Sequence, residues 1–319
     1  MSQLAHEAGL TTAHTHTSVA NRCRRGMVPD WPVPKLLGWA IGERLGRTVQ
    51  LAEIGMADAQ MNGSFSDDVG RELFSVTAEL SRLAGWTAFD VGQHDAAQRH
   101  FIQALRLARA GGDIELGCYV LTTMAMQTLL RGFASEAIDM TQGAFERAKA
   151  GAAPRVLAFT KLIEARAHAR DNNARAASAA LAASESLLDQ VRDGAGEPTW
   201  IDFCHHAGLS ADAAEIFRDL KNPKAALAWN AQAAAMQSGV FTRPVGMRLA
   251  IVVTAHLQDR DLDHGLELGN QAIDVLARVQ STRALDYVRE FNAALAPWRR
   301  ETAVREFLNR TRTELGMAA

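Results

Sequence analysis

The sequence predicts an all-α protein, an α-solenoid of stacked helix pairs preceded by a small N-terminal segment. Three observations predict it. Alanine is abundant while aromatic residues make up only 6% of the chain, a balance that suits closely packed helices. Runs of alternating β-branched residues, the mark of strands, are almost absent. The chain also repeats itself at a period of about 40 residues, within the range of helical-repeat arrays.

The repeat is carried by small residues. Ala84-Gly85, Gly92, Ala97, Phe101 and Ala104 are followed at the same offsets by Met124-Ala125, Gly132, Ala137, Thr141 and Ala144, and then by Glu164-Ala165, Asn172, Ala177, Leu181 and Ser184. After a shift of register, Ala214, Phe217, Lys221, Ala226, Asn230 and Ala233 keep the internal spacing, as do Val253, Gly265, Gly269 and Ala272. This order of small and aromatic residues is similar to a tetratricopeptide (TPR) motif. Antiparallel helices approach closely only where small residues meet, and larger ones such as Phe101 fill the groove between units. The spacing exceeds the usual ~34 residues of that motif and implies longer turns between units. Repeats are expected at 78–111, 118–151, 158–191, 207–240 and 246–279, with those turns at Ala110-Gly-Gly-Asp, Ala150-Gly-Ala-Ala-Pro and Asp193-Gly-Ala-Gly-Glu-Pro. The array spans 61–319. Helical stretches at 283–295 and 298–315 are expected to cap it, with Arg289, Arg299, Arg300, Arg305 and Arg310 on a solvated face.

Bulk properties narrow the function. The chain of 319 residues is 48% hydrophobic and 22% charged, and its longest apolar runs fall far short of the roughly 20 residues that cross a bilayer. No membrane partner is expected. Cys23, Cys118 and Cys204 are too dispersed for a disulfide framework or a zinc cluster, which suits a reducing cytoplasm. A net charge of −2 argues against a protein that coats nucleic acid along its whole length.

Chemistry-bearing motifs are sparse, and neither an enzyme nor a cofactor is expected. Cys204-His205-His206 is the one tight Cys/His cluster, but neighbouring histidines on a helix point about 100° apart and share a metal poorly. His14 and His16 alternate with threonines without an acidic neighbour, and Gly111-Gly112 lacks the Lys-Ser/Thr of a nucleotide-binding loop.

Residues 1–60 read differently. Pro29, Pro32 and Pro34 separate a short helical stretch starting at Thr17 and ending at Gly26 from a second one, Val33 to Leu45. In the first, Ser18, Asn21, Arg22 and Arg25 share one side, with Arg24 adding to the basic run, while Val19, Ala20 and Cys23 take the other. Asn and Arg on one helix face suit base edges and phosphates. The same arginines also fit an ordinary solvated face, and the pattern alone leaves both readings open.

A family resemblance favours the first. Glu7-Ala-Gly-Leu, Thr17-Ser-Val-Ala, Arg25-Gly, Pro32-Val-Pro, Arg44-Leu-Gly-Arg and Leu51-Ala-Glu-Ile-Gly resemble the helix-turn-helix region of actinobacterial XRE-type transcriptional regulators with C-terminal TPR arrays. The likeness runs on through Leu83-Ala-Gly-Trp-Thr-Ala-Phe-Asp, Phe101-Ile-Gln-Ala-Leu-Arg-Leu-Ala and Glu197-Pro-Thr-Trp. It implies DNA binding by the N-terminal segment, and a TPR half that dimerises or senses a ligand.

In a TPR array the first helix of each repeat lines the concave face. Mapped here, that groove takes Arg82, Trp86 and Phe89 from the first unit and Tyr119 and Met126 from the second. Phe159, Arg166 and Arg170 come from the third and Arg218 from the fourth. Apolar anchors edged by arginines suit a peptide or a small-molecule effector, although Trp86 and Phe89 equally suit packing against the N-terminal segment. The expected function is a homodimeric DNA-binding regulator with an effector-sensing TPR half. The alternative is a TPR interaction scaffold without DNA binding.

Overall fold

The computed structural model describes residues 66–192, 197–233, 242–277 and 281–316. Among them the chain is all-α and repeat-like, as expected. Its helices are α1 (Asp67–Asp90), α2 (His94–Gly111), α3 (Ile114–Leu130), α4 (Ala134–Ala148), α5 (Pro154–Arg170) and α6 (Ala174–Leu188). They continue as α7 (His206–Asp219), α8 (Pro223–Gln232), α9 (Thr242–Gln258), α10 (Leu262–Leu276), α11 (Thr282–Ala294) and α12 (Thr302–Leu315). Short 3-10 turns lie at Thr199–Ile201 and Ala296–Trp298.

Each hairpin turn is built in the same way. The second residue after the first helix of a pair takes a left-handed conformation at Gly92, Gly132, Asn172, Lys221 and Arg260. Left-handed backbone suits glycine, and asparagine next, because a Cβ crowds the following carbonyl. The next residue then donates its N–H five residues back, from Gln93 to Ala88, Phe133 to Thr128, Asn173 to His168, Asn222 to Phe217 and Asp261 to His256. This satisfies carbonyls that a helix end otherwise leaves orphaned. In the later pairs the same residue caps the second helix, since the Asn173, Asn222 and Asp261 side chains accept from the N–H groups of Ala176, Ala225 and His264.

Chain contacts divide the molecule into two units, residues 66–89 with 93–116 and residues 90–92 with 117–316. In the first, α1 and α2 approach so closely that a Cβ on Gly85 would sit 2.6 Å from the buried Phe101 ring, and one on Gly111 would sit 3.1 Å from the Arg71 carbonyl. In the second, pairing is sequential and stacking skips one, so that α5 packs on α6 and also on α7, α7 on α9, and α9 on α11. Ala125, Ala137, Ala165, Ala177, Ala226 and Ala272 are buried at these crossings. The C-terminal core joins Met247, Ile251, Ile273, Tyr287, Phe291 and Phe307, with the two phenylalanine rings 5.6 Å apart.

The stretches assigned to the cap form α11 and α12, which continue the stack on α9 and α10. Arg289, Arg299, Arg300 and Arg305 are exposed, whereas Arg310 reaches across to Asp274 and to the Asn270 side chain.

Two glycines separate close packing from chain flexibility. Gly85→Ala is expected to lower unfolding free energy by about 1–3 kcal/mol, because the methyl group overpacks against Phe101. Gly143→Ala, inside α4 with open space at the Cβ, is expected to raise it by about 0.5–1 kcal/mol. Urea denaturation of both variants checks this, and equal signs would refute the close approach.

Candidate functional site

Within the second unit, the first helices of successive pairs bring a set of charges together. Arg166 and Arg170 lie one turn apart on α5, Asp212, Glu215 and Asp219 follow one another on a stripe of α7 beside Arg218, and Tyr287 and Glu290 lie one turn apart on α11. Glu215 is the hub. Its Oε1 lies 2.7 Å from Arg166 Nη2 and 3.4 Å from Arg218 Nη2, and it accepts a hydrogen bond from the Tyr287 hydroxyl at 2.8 Å. The same hydroxyl accepts from Arg166 Nη2 at 3.0 Å, and Arg166 Nη1 pairs with Asp212 at 3.0 Å.

The network extends outward through Arg218, which is only 2% exposed. Its Nη2 meets Asp219 Oδ1 and its Nη1 meets Glu290 Oε2, both at 2.7 Å. Arg170 closes a ring on the same two carboxylates, with Nε 2.6 Å from Asp219 and Nη2 2.9 Å from Glu290. The Arg170 and Glu290 side chains keep about a third of their surface exposed, so one edge of the network faces solvent. Three guanidinium groups thus meet four carboxylates across three helices that are not consecutive in the chain.

The electrostatics follow from burial and pairing. Burial pushes the Glu215 carboxyl up, but Arg166, Arg218 and Arg170 overcome it and hold the group down at about 2. Asp212 goes the other way, to about 6, because burial and the nearby Glu215 outweigh Arg166. Burial and Glu215 raise Tyr287, which keeps its phenol protonated as the donor to Glu215. Both Arg166 and Arg218 are raised although burial opposes it, so they stay charged.

Beside the network lies a cleft of about 540 Å³. Arg170, Arg218, Asp219 and Glu290 form its inner wall, Lys221 and Arg260 stand at its rim, and Leu257, Ala293, Pro297 and Trp298 supply an apolar side. A smaller hollow of about 40 Å³ lies between Leu130, Arg283, Asp286 and the same Arg170 and Glu290.

The residues expected to line a groove fall into several settings. Arg166 and Arg218 are buried and balanced by carboxylates, and of the three arginines of the second unit only Arg170 reaches the surface. Tyr119 and Phe159 lie under the chain's own connection between α6 and α7. Trp200 stacks on Tyr119 at 4.8 Å, and Phe203 meets Phe159 edge-on at 5.4 Å while remaining 51% exposed. Arg155, at the start of α5, holds that connection by donating to the Asp202 and Cys204 carbonyls at 3.4 Å. Met126 is buried in the same unit. Arg82, Trp86 and Phe89 belong to the first unit, where Arg82 and Phe89 are buried and the Trp86 and Phe89 rings meet edge-on at 5.7 Å.

Sequence reasoning missed Asp212, Tyr287, Glu290 and the cleft. The available signal was the stripe Arg283, Tyr287, Glu290 on α11, which places a phenol and two opposite charges on one helix face.

The Cys204-His205-His206 cluster resolves into three separate roles. Burial first, then Asp212, pushes the Cys204 thiol up to about 12, which leaves it protonated and unreactive. His205 Nδ1 caps α7 by accepting from the Gly208 N–H at 3.1 Å, and His206 faces Asp189 at 3.4 Å. Among the described residues no group of three or more His, Cys, Asp or Glu could hold a metal ion, and no helix is long and apolar enough to cross a membrane.

Glu215→Ala leaves two buried guanidinium groups without their shared carboxylate and is expected to cost about 3–5 kcal/mol in urea unfolding. Glu290→Ala, at the exposed edge, is expected to cost far less, and equal losses would count against Glu215 as the hub. The pH dependence has two parts. Glu215, lower in the folded state, contributes stability above its ordinary value of 4.5 that is lost as pH falls toward 2. Asp212, higher in the folded state, contributes stability below its ordinary value of 3.8 that is lost as pH rises through about 6. Asp212→Asn is therefore expected to flatten the fall in Tm between pH 4 and 7 and to leave the acid-side loss in place. Thermal unfolding across pH measures this, and an unchanged slope would refute it.

Residues 1–57 match a family model described as the SP15 N-terminal domain. The match covers 57 of the 319 residues and ends ahead of α1. Ser18, Asn21, Arg22, Arg24 and Arg25 fall inside it and lie outside the described residues. No curated protein matches the chain.

Proposed function

We propose that this protein is a DNA-binding transcriptional regulator whose helical repeats, of the TPR type, dimerise and receive a peptide or small-molecule effector. Residues 1–57 read DNA through Ser18, Asn21, Arg22, Arg24 and Arg25, asparagine and arginine suiting base edges and the arginines also phosphates. The observation that carries the receptor half is the network on α5, α7 and α11, which ends at an open cleft. A ligand that engages Arg170 or Glu290 acts on groups already tied to three helices. Differential contact of that kind is what coupling between two sites requires.

A second observation supports the dimer. Helix α1, the first described element after the N-terminal segment, exposes Val69, Leu73, Val76 and Leu80 at steps of four, three and four residues. That is the spacing of a coiled-coil seam, and a seam of this kind is self-complementary. Two copies joined there hold two N-terminal segments at one distance, as a paired half-site demands.

The experiment is a mobility shift with genomic fragments at several salt concentrations, alongside light scattering for mass. The full chain is expected to shift a subset of fragments as a dimer. Arg22→Ala with Arg25→Ala is expected to abolish the specific shift at unchanged helical content, and Leu73→Glu with Val76→Glu to yield monomers that shift about tenfold or more weakly. A full-length dimer that shifts no fragment would leave a TPR interaction scaffold as the function.

A further inference from the structure

The cleft beside the network has a chemistry that selects its ligand. Four basic groups line it, Arg170, Arg218, Lys221 and Arg260, against two carboxylates, Asp219 and Glu290. Both carboxylates are already engaged by Arg170 and Arg218. Lys221 and Arg260 have neither an ion pair nor a side-chain hydrogen bond among the described residues, and both are exposed at the rim. The cleft sits at the C-terminal ends of α7 and α9, whose dipoles favour cations. The backbone bonds of Asn222 to Phe217 and of Asp261 to His256, both 2.9 Å, satisfy carbonyls of those last turns. Side-chain charge therefore decides the local sign, and that sign is positive.

Lys221 and Arg260 also occupy positions where the fold prefers other residues. The equivalent residue is Gly92, Gly132 or Asn172 in the earlier hairpins, and all five are left-handed. A long side chain there carries a backbone cost of about 1 kcal/mol that glycine avoids. The two hairpins that accept this cost are the two that border the cleft, and both use it to place a cation at its mouth.

The rest of the lining is largely apolar and includes one large flat ring. Leu257, Ala293, Pro297 and the half-buried Trp298 face the space, and Thr254 adds a hydroxyl. The Arg218 Nε–H, buried on the inner wall, has no hydrogen-bond partner among the described residues. At about 540 Å³ the space lies in the ordinary range for small-molecule sites.

We infer that the cleft between α7, α9 and α11 binds a small aromatic anion, its carboxylate or phosphate held by Lys221, Arg260 and Arg170 and its ring against Trp298 and Pro297. This deepens the receptor half of the proposed function, since it rests on the network's open edge being the effector site. Charge and ring are both required: inorganic phosphate lacks the apolar body, and a neutral aryl alcohol lacks the partner for the cations.

Calorimetry of the full chain with 2-naphthoate, 2-naphthylmethanol and inorganic phosphate tests it. The expected result is saturable one-to-one binding of 2-naphthoate, with the alcohol and phosphate each weaker by about tenfold or more. The double variant Lys221→Gly, Arg260→Gly removes both cations and relieves the left-handed strain, so it is expected to keep or raise Tm while weakening 2-naphthoate by about tenfold or more. Trp298→Ala is expected to weaken it too, and Arg305→Ala, on the exposed face of α12, to leave it unchanged. No saturable 2-naphthoate binding, equal affinity for the alcohol, or unchanged affinity in the double glycine variant each overturns the assignment. Calorimetry reads the cleft and the mobility shift reads DNA, so either can fail while the other stands.

Discussion

Two helices can lie backbone against backbone only where their side chains leave room, and this chain supplies that room at regular intervals. Gly85 under Phe101, Gly265 under Leu257 and Gly246 under Leu276 mark contacts in which a single methyl group would collide with a neighbour. Buried alanines fill the same role between α3 and α6. Close approach inside each pair allows the first helices of successive pairs to meet one another directly. The charge network, the cleft and the aromatic cluster all depend on that side-by-side arrangement.

Once α5, α7 and α11 are held together, most of their facing side chains are shielded from bulk water and must satisfy one another. Buried ion networks often stabilise a fold no more than well-packed apolar residues would, because desolvation offsets the attraction. Their effect is on geometry. A guanidinium group accepts partners only in its own plane, and Glu215 must meet Arg166, Arg218 and Tyr287 at once. The relative position of the three helices is thereby pinned far more tightly than a greasy contact would pin it. Burial first of all raises the Asp212 carboxyl, and its protonation near pH 6 brings the four carboxylates and three guanidinium groups close to neutrality.

The two sides of the inner surface have different fates. Around Tyr119 and Phe159 the chain folds its own α6–α7 connection back over the rings, with Trp200 and Phe203 as plugs and Arg155 as the tether. Near α9 and α11 nothing from the described chain fills the space, and the cleft stays open. Arg166, Arg170 and Arg218, like Glu215 and Asp219, could be picked out from helical spacing as inward-facing, but which of them would pair could not. Glu215 and Tyr287 are separated by 72 residues, and no local pattern records which of two distant helices will stand opposite. Lys221 and Arg260 carried even less signal, because at a hairpin turn a lone basic residue reads as ordinary surface.

What the amino-acid sequence determined by itself is the helical class and the unit that repeats. These depend on interactions within a few turns of helix: a left-handed residue to end one helix, an asparagine or aspartate to begin the next, and small side chains where the two cross. Their energies are local, so they leave a periodic trace in the chain. The tertiary structure alone decided which charges neutralise one another, which aromatic rings are covered and where an open, positively charged space remains. Those outcomes depend on how many residues separate successive pairs and on how α11 returns beside α7, and such long-range geometry is set by the sum of all the packing contacts.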